Sequence, residues 1–236
     1  MPFPIYLAMT AAEFCQKPPE MYSMGYMACH FSPYGTGLSN IPETLPPGAM
    51  LILNDRTPVC GHDPQLIARQ LAQAAEALQC SRVLLDLQRP AEALTAQIAQ
   101  AAVQALPCPT AVSACYADGL RCPVLVPPVP LLQPPGDYLQ PWQGREIWLE
   151  IAPQRSNFVI TEAGCREDTY CPDAHAPIHW DNELCCRYSM QTDGAQVIFS
   201  VERDKDALHQ LLQQARPFGV TCGVGLYQEL GDSSAQ

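Results

Sequence analysis

The sequence predicts an α/β fold, a small or degenerate (β/α)8 barrel of the TIM type with a β-hairpin insertion in its second half. Short apolar runs recur along the chain, and amphipathic helices separate several of them. One segment of the second half alternates between apolar and polar residues as antiparallel strands do. The 236 residues are enough for one such barrel, since these domains start at roughly 200 residues.

The expected strands are apolar runs bounded by turn or charged residues, which suits strands buried on both faces of a parallel sheet. Eight runs qualify, and a ninth, Tyr26–Phe31, competes with the first. The eight are Ile5–Met9, Met50–Asn54, Arg82–Leu87, Thr110–Tyr116, Pro123–Val126, Glu146–Ile151, Gln196–Val201 and Val220–Leu226.

Three amphipathic helices are expected. Asp63 caps the first, the second starts near Pro90, and the third follows Asp204. Helices and strands alternate over residues 50–116 and again over residues 196–226. This alternation predicts right-handed βαβ units and a parallel sheet in both segments.

The alternation weakens between these two segments. Six prolines within residues 123–135 exclude regular helix there, and residues 155–194 are longer than an ordinary connection. Asn157–Ala163 and Leu184–Gln191 alternate as strands do, so we expect them to form a hairpin closed by a polar loop. We expect residues 1–236 to form one domain that carries this insertion.

The charge balance argues against polyanionic partners. The formal net charge is −11, and the two lysines and eleven arginines form no basic patch, which disfavours nucleic acid and anionic membranes. No apolar run approaches the roughly 20 residues of a membrane-spanning helix, and no signal peptide is evident. We therefore expect an acidic, cytoplasmic protein whose twelve cysteines are mostly reduced packing residues. The sequence indicates no cofactor and leaves the oligomeric state open.

Acidic side chains follow several of the expected strands. In barrel enzymes catalytic groups come from the C-terminal ends of several strands, so these acids should meet at one rim. Strand alternation directs Asp86 and Glu150 toward the barrel axis, and Trp148 shares the face of Glu150. An indole beside acids in a concave rim suits a sugar-like ligand. The candidate catalytic pair is Glu150 and Asp86, with Glu202 in reserve; the alternative is that such acids are solvated or cap the next helix.

The expected ligand-binding residues lie on the same rim. Two of them, Arg56 and Arg89, each follow an acid just past a strand. They either bind a carboxylate or phosphate of a ligand or pair with those acids and fix the rim, and we favour the second interpretation. Residues 32–40 form a glycine-containing loop that matches no nucleotide-binding fingerprint and lines the mouth. The full set is Asp55, Arg56, Gln88, Arg89, Trp148, Tyr227, Glu229, Tyr34 and Asn40.

Strand-end acids and a late hairpin insertion resemble the glycoside-hydrolase type of (β/α)8 barrel, in particular its chitinase-like branch. That branch carries the run Asp-x-x-Asp-x-Asp-x-Glu at one strand end, whereas residues 84–89 here contain one acid, Asp86. The catalytic glutamate of the branch therefore does not carry over to this sequence. The resemblance implies two carboxyls that flank a glycosidic bond, one protonating the leaving oxygen and the other attacking the sugar or activating water.

A cysteine- and histidine-containing segment is a second possible site. Cys165, Cys171, His175 and His179 are of the residue types that bind zinc. No Cys-x2-Cys pair accompanies them, so we interpret the segment as a polar loop and expect no metal there. A zinc-stabilised interaction module is the alternative.

Two functions remain in competition: a carbohydrate-active glycoside-hydrolase-like enzyme that uses strand-end carboxylates, and a non-catalytic barrel that binds a small ligand or a protein partner. A carboxylate pair with perturbed pKa values in a cleft would favour the enzyme. Acids paired with arginines at a shallow rim would favour the non-catalytic barrel.

Overall fold

Eight parallel strands close into a barrel in this computed structural model, which describes residues 3–14, 20–168 and 176–231. The strands of the whole described chain are β1 (Ile5–Met9), β2 (Ser23–Phe31), β3 (Leu38–Ser39), β4 (Met50–Asn54), β5 (Arg82–Asp86), β6 (Thr110–Ser113), β7 (Val124–Val126), β8 (Ile147–Glu150), β9 (Gln154–Thr161), β10 (Gly164–Asp168), β11 (Ile178–Asp181), β12 (Cys186–Asp193), β13 (Gln196–Arg203) and β14 (Val220–Leu226). The barrel order is β1-β14-β8-β7-β6-β5-β4-β2, and a β1–β2 pairing closes it. The expected (β/α)8 class is confirmed.

The described residues divide into two compact units. The barrel unit lies within Met1–Pro127, Gly144–Glu150 and Gly219–Gln236. The insertion unit lies within Pro128–Gln143 and Ile151–Phe218.

The barrel is filled by side chains rather than hollow. Seven of its strands each contribute one or two buried residues to a single apolar cluster, and Met27 of β2 packs against it. The buried members are Tyr6, Ala8, Met50, Ile52, Leu84, Ala111, Leu125, Trp148, Cys222 and Val224. Only side chains beyond this cluster, at the strand ends, are available to a ligand.

The helices follow the local signals that predict them. In α1 (Pro64–Ala77) the Asp63 carboxylate accepts from the N–H of Gln65, and in α4 (Lys205–Ala215) the Asp204 carboxylate accepts from the N–H of Ala207. The helix at the end of the proline-rich segment, α3 (Pro135–Leu139), has only five residues, and α5 (Tyr227–Leu230) is shorter still. No helix of the described residues has the length and apolar character that crossing a membrane requires.

The second helix begins later than expected. It spans α2 (Ala93–Ala105) rather than starting near Pro90. The Tyr116 hydroxyl donates to the Pro90 carbonyl at 2.9 Å and lies 3.3 Å from the N–H of Glu92. These bonds hold the segment before Ala93 as a loop.

One of the eight predicted barrel strands, Gln196–Val201, is wrong, and the run Tyr26–Phe31, expected only as a competitor of the first strand, belongs to the barrel instead. Ser23–Phe31 is the second barrel strand, whereas Gln196–Arg203 belongs to an antiparallel sheet. The expected parallel βαβ unit over residues 196–226 is therefore wrong as well. Asp193 of β12 pairs with Gln196 of β13, and Gly194 between them has a φ of +60°, so the chain makes a two-residue hairpin turn and β13 returns alongside β12.

The insertion unit contains a five-stranded antiparallel sheet in the order β10-β9-β13-β12-β11. This confirms an insertion built of hairpins. The predicted pairing of Asn157–Ala163 with Leu184–Gln191 is wrong, because β13 lies between β9 and β12. Each of those two segments instead forms a hairpin with a shorter neighbour, β9 with β10 and β12 with β11.

A buried arginine holds the insertion unit together. Arg203 of β13 is 1% exposed, and its guanidinium donates to the carbonyl oxygens of Val129 at 2.6 Å and Leu184 at 2.8 Å. It also donates to Gln154 Oε1 at 3.0 Å. These bonds join the proline-rich segment and the β11–β12 turn to the sheet, so a single side chain satisfies backbone groups from several segments.

Candidate active site

The loop that follows β5 is held by the ends of both neighbouring strands. Asp55, directly after β4, is 4% exposed, and its carboxylate accepts the backbone N–H of Gln88 at 3.1 Å and of Arg89 at 2.8 Å. On the other side, Ser113 at the end of β6 accepts the N–H of Leu87 at 2.9 Å. Asp55 is therefore a positioning residue that fixes the backbone of Gln88.

The two arginines of the rim behave differently from each other. Arg89 donates to the carbonyl oxygens of Asp55 at 2.8 Å and Arg56 at 3.0 Å, so it ties the β4 and β5 loops together. Arg89 therefore fixes the rim as predicted, but it does so by donating to backbone carbonyls and not by pairing with an acid. The Arg56 guanidinium makes no hydrogen bond or ion pair with any described residue.

Asp86, Gln88 and Glu150 come together at the C-terminal mouth of the barrel. Gln88 Nε2 donates to Asp86 Oδ1 at 2.6 Å and to Glu150 Oε1 at 3.3 Å. The two carboxylate oxygens share this donor and therefore lie within about 6 Å of each other. Among the described residues of the barrel unit, no lysine or arginine forms an ion pair with either acid.

Burial disfavours the ionised form of both carboxyls, and the charge of a neighbouring acid adds to this effect. Desolvation, followed by the charge of Asp86, raises the pKa of Glu150 to about 7, although the Gln88 hydrogen bond opposes the rise. Desolvation also raises the pKa of Asp86, with a smaller contribution from Asp55 and an opposing one from Gln88. Near neutral pH the pair can therefore hold one proton between an acid and a carboxylate, which is the requirement for general acid catalysis.

A cavity of about 710 Å³ opens beside Asp86 and Gln88, within the size range of small-ligand sites, and Glu150 lies next to it through its hydrogen bond with Gln88. The residues that line it come from β2, from the ends of β4 and β5 with the loops that follow them, and from the segments after β1 and β3. They are Thr10, Ala11, Ala12, Met27, Ala28, His30, Asn40, Asn54, Asp55, Arg56, Thr57, Asp86 and Gln88. The predicted ligand-binding residues Asn40, Asp55, Arg56 and Gln88 are thus brought together.

His30 in this cavity is a residue that the sequence analysis missed. Its Nδ1 lies 2.8 Å from the Phe31 carbonyl and must donate to it, so Nε2 is the acceptor for Asn40 Nδ2 at 3.2 Å. Asn40 has a φ of +57°, a left-handed conformation that asparagine tolerates better than most residues. The signal for His30 was its place at the end of Tyr26–Phe31, the run treated only as a competitor strand.

The remaining predicted rim residues do not line this cavity. Trp148 is fully buried in the barrel cluster, so its indole cannot stack on a ligand and that expectation is wrong. Tyr227 is 9% exposed at the start of α5, where Glu229 is exposed, and Tyr34 is 84% exposed in its loop.

Glu202, the reserve catalytic acid, lies on β13 in the insertion unit rather than on a barrel strand. It is exposed there, opposite Arg155 on one side and Arg187 on the other. It is therefore not among the strand-end acids of the barrel.

Two of the four zinc-type residues, Cys171 and His175, lie outside the described residues. The other two occupy opposite edges of the insertion sheet, Cys165 on β10 and His179 on β11. Four strand spacings separate these edges by roughly 19 Å, too far for one ion to bind both residues. Across the described ranges no three histidine, cysteine or acidic residues cluster as metal ligands would.

No protein family model and no curated protein matches the sequence. Solved structures do resemble it. A GH18 chitinase from Cycas revoluta in complex with (GlcNAc)3 aligns with a TM-score of 0.58 at 10% identity over 94% of both chains. A double mutant of that enzyme, with a glutamate changed to glutamine, is in complex with (GlcNAc)4 and aligns at 0.56, 10% identity and 94% of both chains.

The spore cortex-lytic enzyme SleL of Bacillus megaterium is a further structural neighbour. It aligns with a TM-score of 0.56 at 10% identity over 97% of this chain and 71% of its own. Identities this low establish the fold alone. The chain thus has the barrel fold of these chitinases and cortex-lytic enzymes, which confirms the predicted resemblance to glycoside-hydrolase barrels.

Proposed function

We propose that the barrel unit is a carbohydrate-active enzyme that cleaves a glycosidic bond, with Glu150 as the proton donor and Asp86 as the second carboxyl. The observation that carries the proposal is the Asp86–Glu150 pair itself, joined through Gln88 at the barrel mouth. The pKa of Glu150, raised to about 7, supports its role because a proton donor must be protonated near the working pH.

The proposed reaction uses both protonation states of the pair. Glu150 gives its proton to the glycosidic oxygen while the bond to the anomeric carbon breaks and its electron pair passes to that oxygen. The Asp86 carboxylate stabilises the positive charge that develops on the sugar. Water then supplies hydroxide to the anomeric carbon and returns a proton to Glu150. A separation within about 6 Å is below the 6.5–9.5 Å of inverting enzymes, so the geometry favours retention of configuration.

The test compares hydrolysis by the wild-type chain, Glu150→Gln and Glu146→Gln. Glu146 is a matched control because it lies just before β8, at the other end of the strand, and its Oε1 accepts from Trp148 and Thr221, a role that an amide oxygen retains. Substrates are chito-oligosaccharides, chosen because two structural neighbours hold them, and a panel of aryl glycosides.

We expect the wild-type chain and Glu146→Gln to release product, and Glu150→Gln to be slower by about 100-fold or more. Wild-type activity should fall as pH rises through about 7, because Glu150 loses the proton that it donates. Equal activity of Glu150→Gln and wild type, or no hydrolysis of any substrate by the wild type, would overturn the proposal.

A second function, glycan binding without cleavage, is favoured by Gln88. Asp86 and Gln88 have the spacing of the final Asp-x-Glu in the chitinase-like acid run, with glutamine in place of the glutamate. An amide cannot donate a proton to a leaving group, yet it binds sugar hydroxyls well. The neighbour that holds (GlcNAc)4 is itself a glutamate-to-glutamine mutant. Saturable binding of (GlcNAc)4 with no product formed would select this function.

A further inference from the structure

Arg56 is exposed, and it is the one lysine or arginine among the described residues that line the cavity beside Asp86 and Gln88. Other polar groups that line the cavity are already engaged: Asn54 donates to the Met27 carbonyl at 2.6 Å and accepts the N–H of Arg56 at 3.0 Å. Asp55 accepts two backbone N–H groups. The guanidinium of Arg56 has five donors, and none of them is hydrogen-bonded to an acceptor of the described residues.

The neighbouring arginine of the same rim, Arg89, is engaged, whereas the side chain of Arg56 is not. The guanidinium of Arg89 donates to two backbone carbonyls and fixes the rim, so the loop does not need the side chain of Arg56 for its structure. Only the backbone of Arg56, through its N–H and its carbonyl, takes part in that network. The backbone of Arg56 is therefore fixed, while its guanidinium remains available to a ligand.

A guanidinium fork matches a carboxylate, to which it can donate two parallel hydrogen bonds. Asp55 and Asp86 line the same cavity and repel any anion, so a dianionic phosphate fits less well than a carboxylate, which carries a single charge. The net charge of −11 repels anions at long range, so a preference for an acidic ligand has to arise from a local cation.

We propose that the cavity binds a sugar that carries a carboxylate, such as a uronic acid, and that Arg56 receives the carboxylate. This inference rests on the proposed function, since it takes a carbohydrate as the ligand of the barrel. It adds the class of sugar: an acidic residue of the glycan lies beside Arg56, next to the Asp86–Gln88–Glu150 cluster.

The test measures binding by calorimetry to a matched pair of sugars. One is a hyaluronan tetrasaccharide, which alternates glucuronic acid with N-acetylglucosamine, and the other is its carboxyl-reduced, neutral counterpart. Chitotetraose is titrated in parallel as a probe of the proposed function alone. The variants are Arg56→Gln and, as a control, Arg69→Gln, which removes the same charge from an exposed position on α1 that does not line the cavity.

We expect the wild-type chain to bind the acidic sugar about tenfold or more tightly than the neutral one, with a ratio that falls as ionic strength rises. Arg56→Gln should bring this ratio close to one, and Arg69→Gln should leave it unchanged. Binding of chitotetraose together with equal affinity for the two hyaluronan sugars would overturn this inference and spare the proposed function. Failure of all three sugars to bind would overturn this inference, whereas the proposed function is decided separately by the hydrolysis assay with the wider substrate panel.

Discussion

The coupling between Asp86 and Glu150 can be tested by Asp86→Asn. This substitution removes one charge and keeps the shape of the side chain. Two carboxylates about 6 Å apart repel each other by about 3 kcal/mol at an effective dielectric constant of 20. Loss of that repulsion should lower the pKa of Glu150 from about 7 to between about 5 and 6. It should not reach the ordinary range, because desolvation is the larger cause of the rise.

The assay is a carbon NMR titration of glutamate-labelled protein, with the Glu150 resonance assigned by its loss in Glu150→Gln. Asp118→Asn is the control, since Asp118 is an exposed turn residue and its removal should leave the Glu150 titration in place. An unchanged midpoint for Glu150 in Asp86→Asn would refute the reasoning, because the two carboxyls would then not act as a pair.

Three further predictions concern stability and the Gln88 bridge. The folded pKa of Glu150 lies above its unfolded value of 4.5, so stability should decrease as pH rises from about 4.5 to about 7, and Glu150→Gln should be more stable by about 1–2 kcal/mol above pH 7 in thermal unfolding. Gln88→Glu should raise the pKa of Glu150 further in the same NMR titration, because an amide donor becomes a third carboxyl. Arg203→Met should lower the free energy of unfolding by about 3–5 kcal/mol in urea titration, because it leaves buried carbonyl groups unpaired.

Each of these has a result that contradicts it. A pH profile of stability that Glu150→Gln does not alter would show that this carboxyl is not buried in the folded chain. A lower midpoint for Glu150 in Gln88→Glu would argue against the bridging amide. For Arg203 the matched control is Arg166→Met, which removes an exposed arginine of the same sheet, and equal effects of the two variants would exclude the carbonyl network as the cause.

The barrel class and most of its strands were predictable because parallel strands buried on both faces leave continuous apolar runs. Two errors have one origin. Gln196–Val201 has the pattern of such a run when it is taken alone, and the Gly194-Ala195 turn that makes it the return strand of a hairpin was overlooked. Tyr26–Phe31 was therefore left out of the barrel, and with it His30.

The candidate site was predictable in part. The position of Asp86 and Glu150 at strand ends correctly predicted that both lie on one rim, because all the strands of the barrel run parallel and end at the same mouth. Strand alternation did not exclude Trp148 from the predicted ligand-binding residues, because alternation does not distinguish side chains of the buried barrel interior from those at the mouth. The bridging role of Gln88 depends on the conformation of the loop fixed by Asp55 and Ser113, which a sequence pattern does not specify.

The most direct test of the central claim follows the side-chain amide of Gln88 by NMR while chitotetraose is added to the wild-type chain. We predict that the amide resonances of Gln88 move in a saturable way, since a sugar at the barrel mouth must exchange hydrogen bonds with the group that joins the two carboxyls. The shift should occur whether or not the sugar is cleaved. Saturable binding that leaves the Gln88 resonances unmoved would place the glycan elsewhere and contradict the assignment of this site.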